Sequence, residues 1–179
     1  MLDERSKEIL SALYPDIKVR AIRFSQDVFK VLNQKIKITQ GLRTFEEQSK
    51  LYSQGRAFVN GQFQVVDRKH VVTNAPAGFS IHNYGLAFDI AFQGDDPYLS
   101  KFTPKDFDYT WRKTGEICQR NGFKWGFDWN GNGKIDGNDF DRPHFELTYG
   151  ERVTDLREIF LISGLIGIYK RIDAVLQSA

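Results

Sequence analysis

The chain has 179 residues, 41% of them hydrophobic and 14% aromatic, with a formal net charge of +2. That profile fits one globular domain with its own core and excludes a disordered chain, while the near-neutral charge gives no reason to expect a nucleic-acid partner. Its single cysteine, Cys118, rules out an internal disulfide, and the longest apolar run, Ile159 to Tyr169, is too short for a membrane span and is broken by Ser163, Gly164 and Gly167.

The opening Met1-Leu2-Asp3-Glu4-Arg5 lacks the charged-then-apolar layout of a signal peptide, so the expectation is synthesis in the cytoplasm. Residues 3–13 read as a helix that stops before Pro15, with Ile9, Leu10 and Leu13 on one side. Roughly Lys18 to Asn33 repeats the pattern with Ala21, Phe24, Val28 and Val31. Lys35 to Gln40 alternates with period two and reads as a strand closed by Gly41. Thr44 followed by Glu47 is a capping box that opens a helix from Phe45 to about Gly55. Arg43 therefore stands at a strand-to-helix corner, suited to binding an anion off the end of a sheet.

Ala57 to Phe79 reads as irregular, apart from a type I′ hairpin turn at Val59-Asn60-Gly61-Gln62. His70 lies just beyond it without carboxylates at ligand spacing and reads as a surface or structural histidine. From Leu86 to Phe92 a strand presents Leu86, Phe88, Ile90 and Phe92 on one face and Asp89 between Ala87 and Ala91 on the other. A carboxylate there is costly to bury unless it is paired or coordinates a metal. Gly85 interrupts the chain between His82 and Asp89 and lets it fold back. After a polar loop, Phe107 to Arg120 reads as a helix capped by Asn121-Gly122, with Cys118 as a buried apolar residue inside it. Phe123 to Phe127 then begins a strand.

That strand is interrupted by residues 128–139, which match the EF-hand loop pattern. Asp128, Asn130, Asn132, Asp136 and Asp139 supply side-chain oxygens, Lys134 its carbonyl, and Gly133 the sharp turn. The pattern predicts Ca2+ binding, weakened by an aspartate at the last position; a metal-free Asx-turn loop is the other reading. Beyond it, Pro143 bends the chain, and His144-Phe145-Glu146-Leu147 alternates again. Asp141 would face away from His144 on an ideal strand, and the proline bend can bring it back. Two imidazoles and one carboxylate are the ligand set of an open zinc site, although two unrelated core histidines would leave the same residues in the sequence.

Ser80-x-His82-x-x-Gly85-x-Ala87-x-Asp89, with Asp141-x-Pro143-His144 further along, resembles the M15 family of zinc peptidases, which act on peptidoglycan. Gln40-Gly41-Leu42-Arg43-Thr44 with Glu47-Gln48 and Leu51-Tyr52 resembles the family's N-terminal motif, so the likeness runs from about Ile36 to Leu147. The resemblance implies that His82, Asp89 and His144 hold Zn2+, that Asp141 is the catalytic base, and that Arg43 and Ser80 line the substrate site. The Asp-x-Pro-His form is more like the L-alanyl-D-glutamate endopeptidases, common in phage endolysins, than the dipeptidases.

The resemblance and the element pattern together predict an α+β fold: a small antiparallel sheet carrying the zinc site, packed with helices, as in hedgehog domains and D-Ala-D-Ala peptidases. Residues 1–150 would form the peptidase domain and 151–179 a helical extension packed on it. The expected function is cleavage of peptidoglycan stem peptides by a monomer that acts on the cell wall after release, without stable membrane insertion. A D-alanyl-D-alanine carboxypeptidase and a non-catalytic zinc- and calcium-binding module are the alternatives.

Overall fold

The computed structural model describes residues 2–99, 104–132 and 141–178. Two compact units emerge, one formed by Met1–Leu42 with Gly85–Leu147 and the other by Arg43–Tyr84 with Thr148–Ala179.

The first unit is built on an antiparallel sheet of four strands: β1 (Ile36–Gln40), β4 (Ala87–Phe92), β6 (His144–Glu146) and β5 (Lys124–Trp125), in that spatial order. Three helices belong to it: α1 (Glu4–Ser11), α2 (Pro15–Leu32) and α4 (Pro104–Arg120). Asp3 caps α1 by accepting the Ser6 N–H at 2.8 Å, and Ser6 Oγ in turn accepts the Ile38 N–H at 2.8 Å, which ties α1 to β1. Pro15 opens α2 three residues before the expected start, because its missing N–H costs nothing in a first helical turn. The α4 helix likewise begins at a proline, Pro104, ahead of Phe107.

Alternation along the strands decides where the core lies. Phe88 and Phe145 face each other across β4 and β6 with ring centroids 5.6 Å apart, and Phe24 from α2 closes on Phe145 at 5.1 Å. Burying such a cluster away from water is the main stabilising contribution available to this unit, at roughly 25 cal/mol per Å² of apolar surface. With Phe88, Ile90 and Phe92 committed to that side, Ala87, Asp89 and Ala91 must face the other.

The second unit holds α3 (Phe45–Ser53), the hairpin β2 (Arg56–Val59) and β3 (Gln62–Val65), and α5 (Val153–Ser178). The segment expected to be irregular therefore contains a strand pair, turned by Asn60 and Gly61 at φ of 51° and 83°. Thr44 and Glu47 form the reciprocal capping box of α3. Phe160 of α5 stacks on Phe45 at 4.7 Å and meets Tyr84 edge-on at 5.9 Å. The tail is not one straight helix: Gly164 at φ 61°, ψ −161° kinks it. Among the described residues no helix is long and apolar enough to cross a membrane.

Candidate metal centre

The register of β4 and β6 sets Asp89 directly opposite His144 on the face turned away from the aromatic core. Asp89 Oδ1 and His144 Nδ1 lie 3.2 Å apart, and the other ring nitrogen, Nε2, lies 3.1 Å from Glu146 Oε2. Burial pushes the His144 imidazole down. Against that, the hydrogen bonds and charges of Asp89 and Glu146 together raise it, to about 10.

His82 sits in a single 3₁₀ turn, Ile81–Tyr84, and is 3% exposed. The turn is short because Gly85 leaves it at φ 68°, a conformation that glycine adopts without penalty. Asn83 fixes it from within: its side-chain oxygen accepts the Gly78 N–H at 3.0 Å and its amide donates to the Arg43 carbonyl at 2.9 Å. The Arg43 N–H donates to the His82 carbonyl at 3.0 Å.

The ligand atoms of His82, Asp89 and His144 all lie within 4.8 Å of one another, forming the one such group of three among the described residues. This donor set fits zinc. Bond lengths of about 2.0–2.2 Å in a tetrahedron put neighbouring ligand atoms about 3.3 Å apart, and the Asp89–His144 pair already stands at 3.2 Å. Three protein donors would leave a fourth position for a reactant, as in catalytic zinc sites.

Asp141 does not begin a strand. Asp141-Arg142-Pro143-His144 forms a turn in which the His144 N–H reaches back to the Asp141 carbonyl at 3.2 Å, and β6 starts only at His144. Four further bonds clamp this turn to the unit. Asp141 N–H donates to the Gly126 carbonyl at 3.1 Å, Gly126 N–H to that of His144 at 2.9 Å, Ile90 N–H to that of Pro143 at 3.0 Å, and Trp125 Nε1 to that of Arg142 at 2.8 Å. Gly126 is where the chain segments approach too closely for a side chain, since a Cβ there would sit 2.5 Å from the Asp141 carbonyl oxygen. The Asp141 residue itself is exposed.

Arg43 Nη1 donates to Gln48 Oε1 at 2.8 Å, and the buried Gln48 passes the constraint on by donating to the Ala75 carbonyl at 2.7 Å. Ser80 is half-buried, and its carbonyl accepts the Asn83 N–H at 3.0 Å. His70 is exposed and does have a carboxylate neighbour, Asp67 Oδ2, at 2.6 Å from Nδ1. At the start of the EF-hand-like stretch, the buried Asp128 accepts the Asn132 N–H at 3.0 Å and the Gln119 amide at 3.0 Å, while Asn130 Oδ1 also accepts from Asn132 at 3.0 Å. Gly133, Lys134, Asp136 and Asp139 lie outside the described residues.

Sequence reasoning passes over Glu146, Gly126 and Asn83. Glu146 stands two residues from His144 in an alternating strand and so shares its face, a signal that the sequence carries. Gly126 and Asn83 act through close approach and backbone bonds, which no spacing reveals.

Residues 73–147 match the family model described as D-alanyl-D-alanine carboxypeptidase, Peptidase M15. The match spans Ser80, His82, Asp89, Asp141 and His144 together. This segment is similar to M15 peptidases. A relative, the peptidoglycan L-alanyl-D-glutamate endopeptidase CwlK of Bacillus subtilis (strain 168), is 36% identical over 114 residues, covering 62% of this chain and 59% of CwlK. The chain thus spans about three fifths of the length of that relative. Among solved structures, the Serratia marcescens L-Ala D-Glu endopeptidase ChiX is 19% identical, with 83% of this chain and 91% of that chain covered at a TM-score of 0.43.

Proposed function

We propose that the chain is a zinc-dependent peptidase that cleaves peptidoglycan stem peptides at the L-alanyl-D-glutamate bond. One observation carries this reading: two imidazoles and a carboxylate gather within 4.8 Å of one another, and all three lie in the segment that matches the M15 model. The 36% identity to CwlK supports the choice of bond.

His82, Asp89 and His144 hold Zn2+. When bound, the ion polarises the scissile carbonyl and makes the attacking water more acidic. Asp141 is the general base: it takes a proton from that water as the oxygen bonds to the carbonyl carbon, then delivers it to the departing nitrogen as the C–N bond breaks. Its backbone clamp to Gly126 supports this role, because a base must be held at a fixed distance from the reacting atoms. Arg43, its guanidinium steadied by Gln48, binds the carbonyl oxygen or a substrate carboxylate through its N–H donors, and Ser80 lines the same substrate site.

On its EF-hand-like sequence the loop 128–139 would hold Ca2+, with Asp128, Asn130, Asn132, Asp136 and Asp139 as side-chain ligands and Lys134 by its carbonyl. Because Gly126, Trp125 and Ile90 already hold the Asp141–His144 turn, calcium strengthens an existing site rather than creating it. Adding calcium to calcium-stripped, zinc-loaded protein should raise the hydrolysis rate, and identical rates would remove calcium from the account.

Digestion of purified sacculi with mass spectrometry of the products tests the activity. Stem peptides released with a new D-glutamate N-terminus are expected. Loss of one terminal D-alanine would instead favour a D-alanyl-D-alanine carboxypeptidase, the activity in the family model's description. Unchanged muropeptides would overturn both.

A further inference from the structure

Glu146 has no part in the ligand group, yet it is held against it. Its side chain is 13% exposed. Among the described residues its carboxylate accepts from His144 Nε2 at 3.1 Å. A carboxylate so far withdrawn from water is costly unless a specific partner compensates it. The strand pairing explains how it fits. Glu146 lies opposite Ala87 on β4, and a methyl group there leaves space on the face that Asp89 and His144 share.

We propose that Glu146 is a positioning residue that orients His144 for the metal. An imidazole that ligates through one nitrogen must carry its proton on the other, and a carboxylate accepting that N–H fixes both the tautomer and the ring angle. Here the two nitrogens face different carboxylates. Nδ1 is 3.2 Å from Asp89 Oδ1, a member of the ligand group, whereas Nε2 faces Glu146. Glu146 therefore takes the Nε2–H and leaves the Nδ1 lone pair for the metal. The backbone enforces the arrangement: His144 and Glu146 alternate onto one face of β6, and the Phe145 side chain between them is locked into the core on the other. This inference rests on the reading of His82, Asp89 and His144 as a zinc site.

Zinc affinity, measured by competition with a chromophoric chelator, separates the two ideas. Glu146→Ala should weaken zinc binding by about 10–100-fold, the usual cost of losing such a partner. Glu146→Gln should recover part of that loss, because its amide oxygen still accepts the Nε2–H. The absorption bands of the cobalt-substituted protein should shift in the alanine variant and move back toward wild type in the glutamine one. Near-ultraviolet circular dichroism of each metal-free variant checks that the fold is intact. Equal affinity in wild type and Glu146→Ala, or a glutamine variant as weak as the alanine one, overturns the role of Glu146 while leaving the zinc site standing. A wild-type protein that binds no zinc overturns both.

Discussion

Asp89 and His144 face each other across neighbouring antiparallel strands, with Oδ1 and Nδ1 3.2 Å apart. Sheet register fixes that distance, and the aromatic cluster of Phe24, Phe88 and Phe145 fixes the register from the opposite face. Slipping either strand by one residue would turn the donors into the core and the phenylalanines outward. Two of the three candidate metal donors are thus organised by the hydrophobic core alone, which would reduce the ordering cost of binding an ion.

Gly126 is the closest point of the clamp on the Asp141–His144 turn, and a methyl group there would meet the Asp141 backbone oxygen at 2.5 Å and the Asp141 and His144 Cβ atoms at 3.1 Å. Backbone cannot yield as a flexible side chain can. Gly126→Ala should destabilise the protein by about 1–3 kcal/mol and weaken zinc binding at least about 10-fold. Urea denaturation and chelator competition measure the two effects. An alanine variant with wild-type values in both would show that the turn is not held here.

His144 gives the metal-free protein a defined pH response. Burial lowers its pKa, but Asp89 and Glu146 outweigh that and raise it from 6.5 to about 10. A group whose folded pKa is raised stabilises the fold fully below its unfolded pKa and loses that contribution as pH rises through the folded value. The stability difference between metal-free wild type and His144→Gln should therefore be largest below pH 6.5 and shrink toward pH 10. Comparing the two proteins cancels groups common to both, such as the buried Cys118 thiol, whose pKa burial pushes up. A difference that stays flat or grows over this range would contradict the assignment.

Asn83 is 2% exposed and bridges Gly78, Arg43 and the His82 turn. Asn83→Ala would leave the Gly78 N–H and the Arg43 carbonyl without that partner, at about 1–3 kcal/mol for each buried group that water cannot reach. We expect a lower melting temperature together with weaker zinc binding, because the His82 turn loses its internal brace. A variant that melts early yet binds zinc normally would limit Asn83 to a structural role.

Much of this architecture is legible in the sequence because the signals are periodic or local. The alternation through β4 puts Asp89 on the face opposite Phe88, and the Thr44–Glu47 pair marks the start of α3. Asn60-Gly61 marks the hairpin turn, although the half-buried-to-exposed β2 and the exposed β3 on either side of it lack a clear pattern. What the sequence leaves open depends on approach distances and long-range bonds. Nothing in the string Trp125-Gly126-Phe127 says that Gly126 will receive the distant Asp141 N–H and donate to His144. Pro15 looks like a boundary and Pro104 like part of a loop, yet each begins a helix, because proline ends helices from within but suits their first turn. The kink in α5 falls at Gly164, one of the residues that break the apolar run, but a glycine inside a helical pattern does not by itself say where the helix bends.

A zinc titration of the wild type beside His82→Ala, Asp89→Asn and His144→Ala decides whether His82, Asp89 and His144 form one metal site. The wild-type chain should bind one equivalent of zinc, and each variant should lose more than about 100-fold in affinity, above the usual cost of removing a mere supporting partner. Wild-type affinity in any one of the three would contradict it.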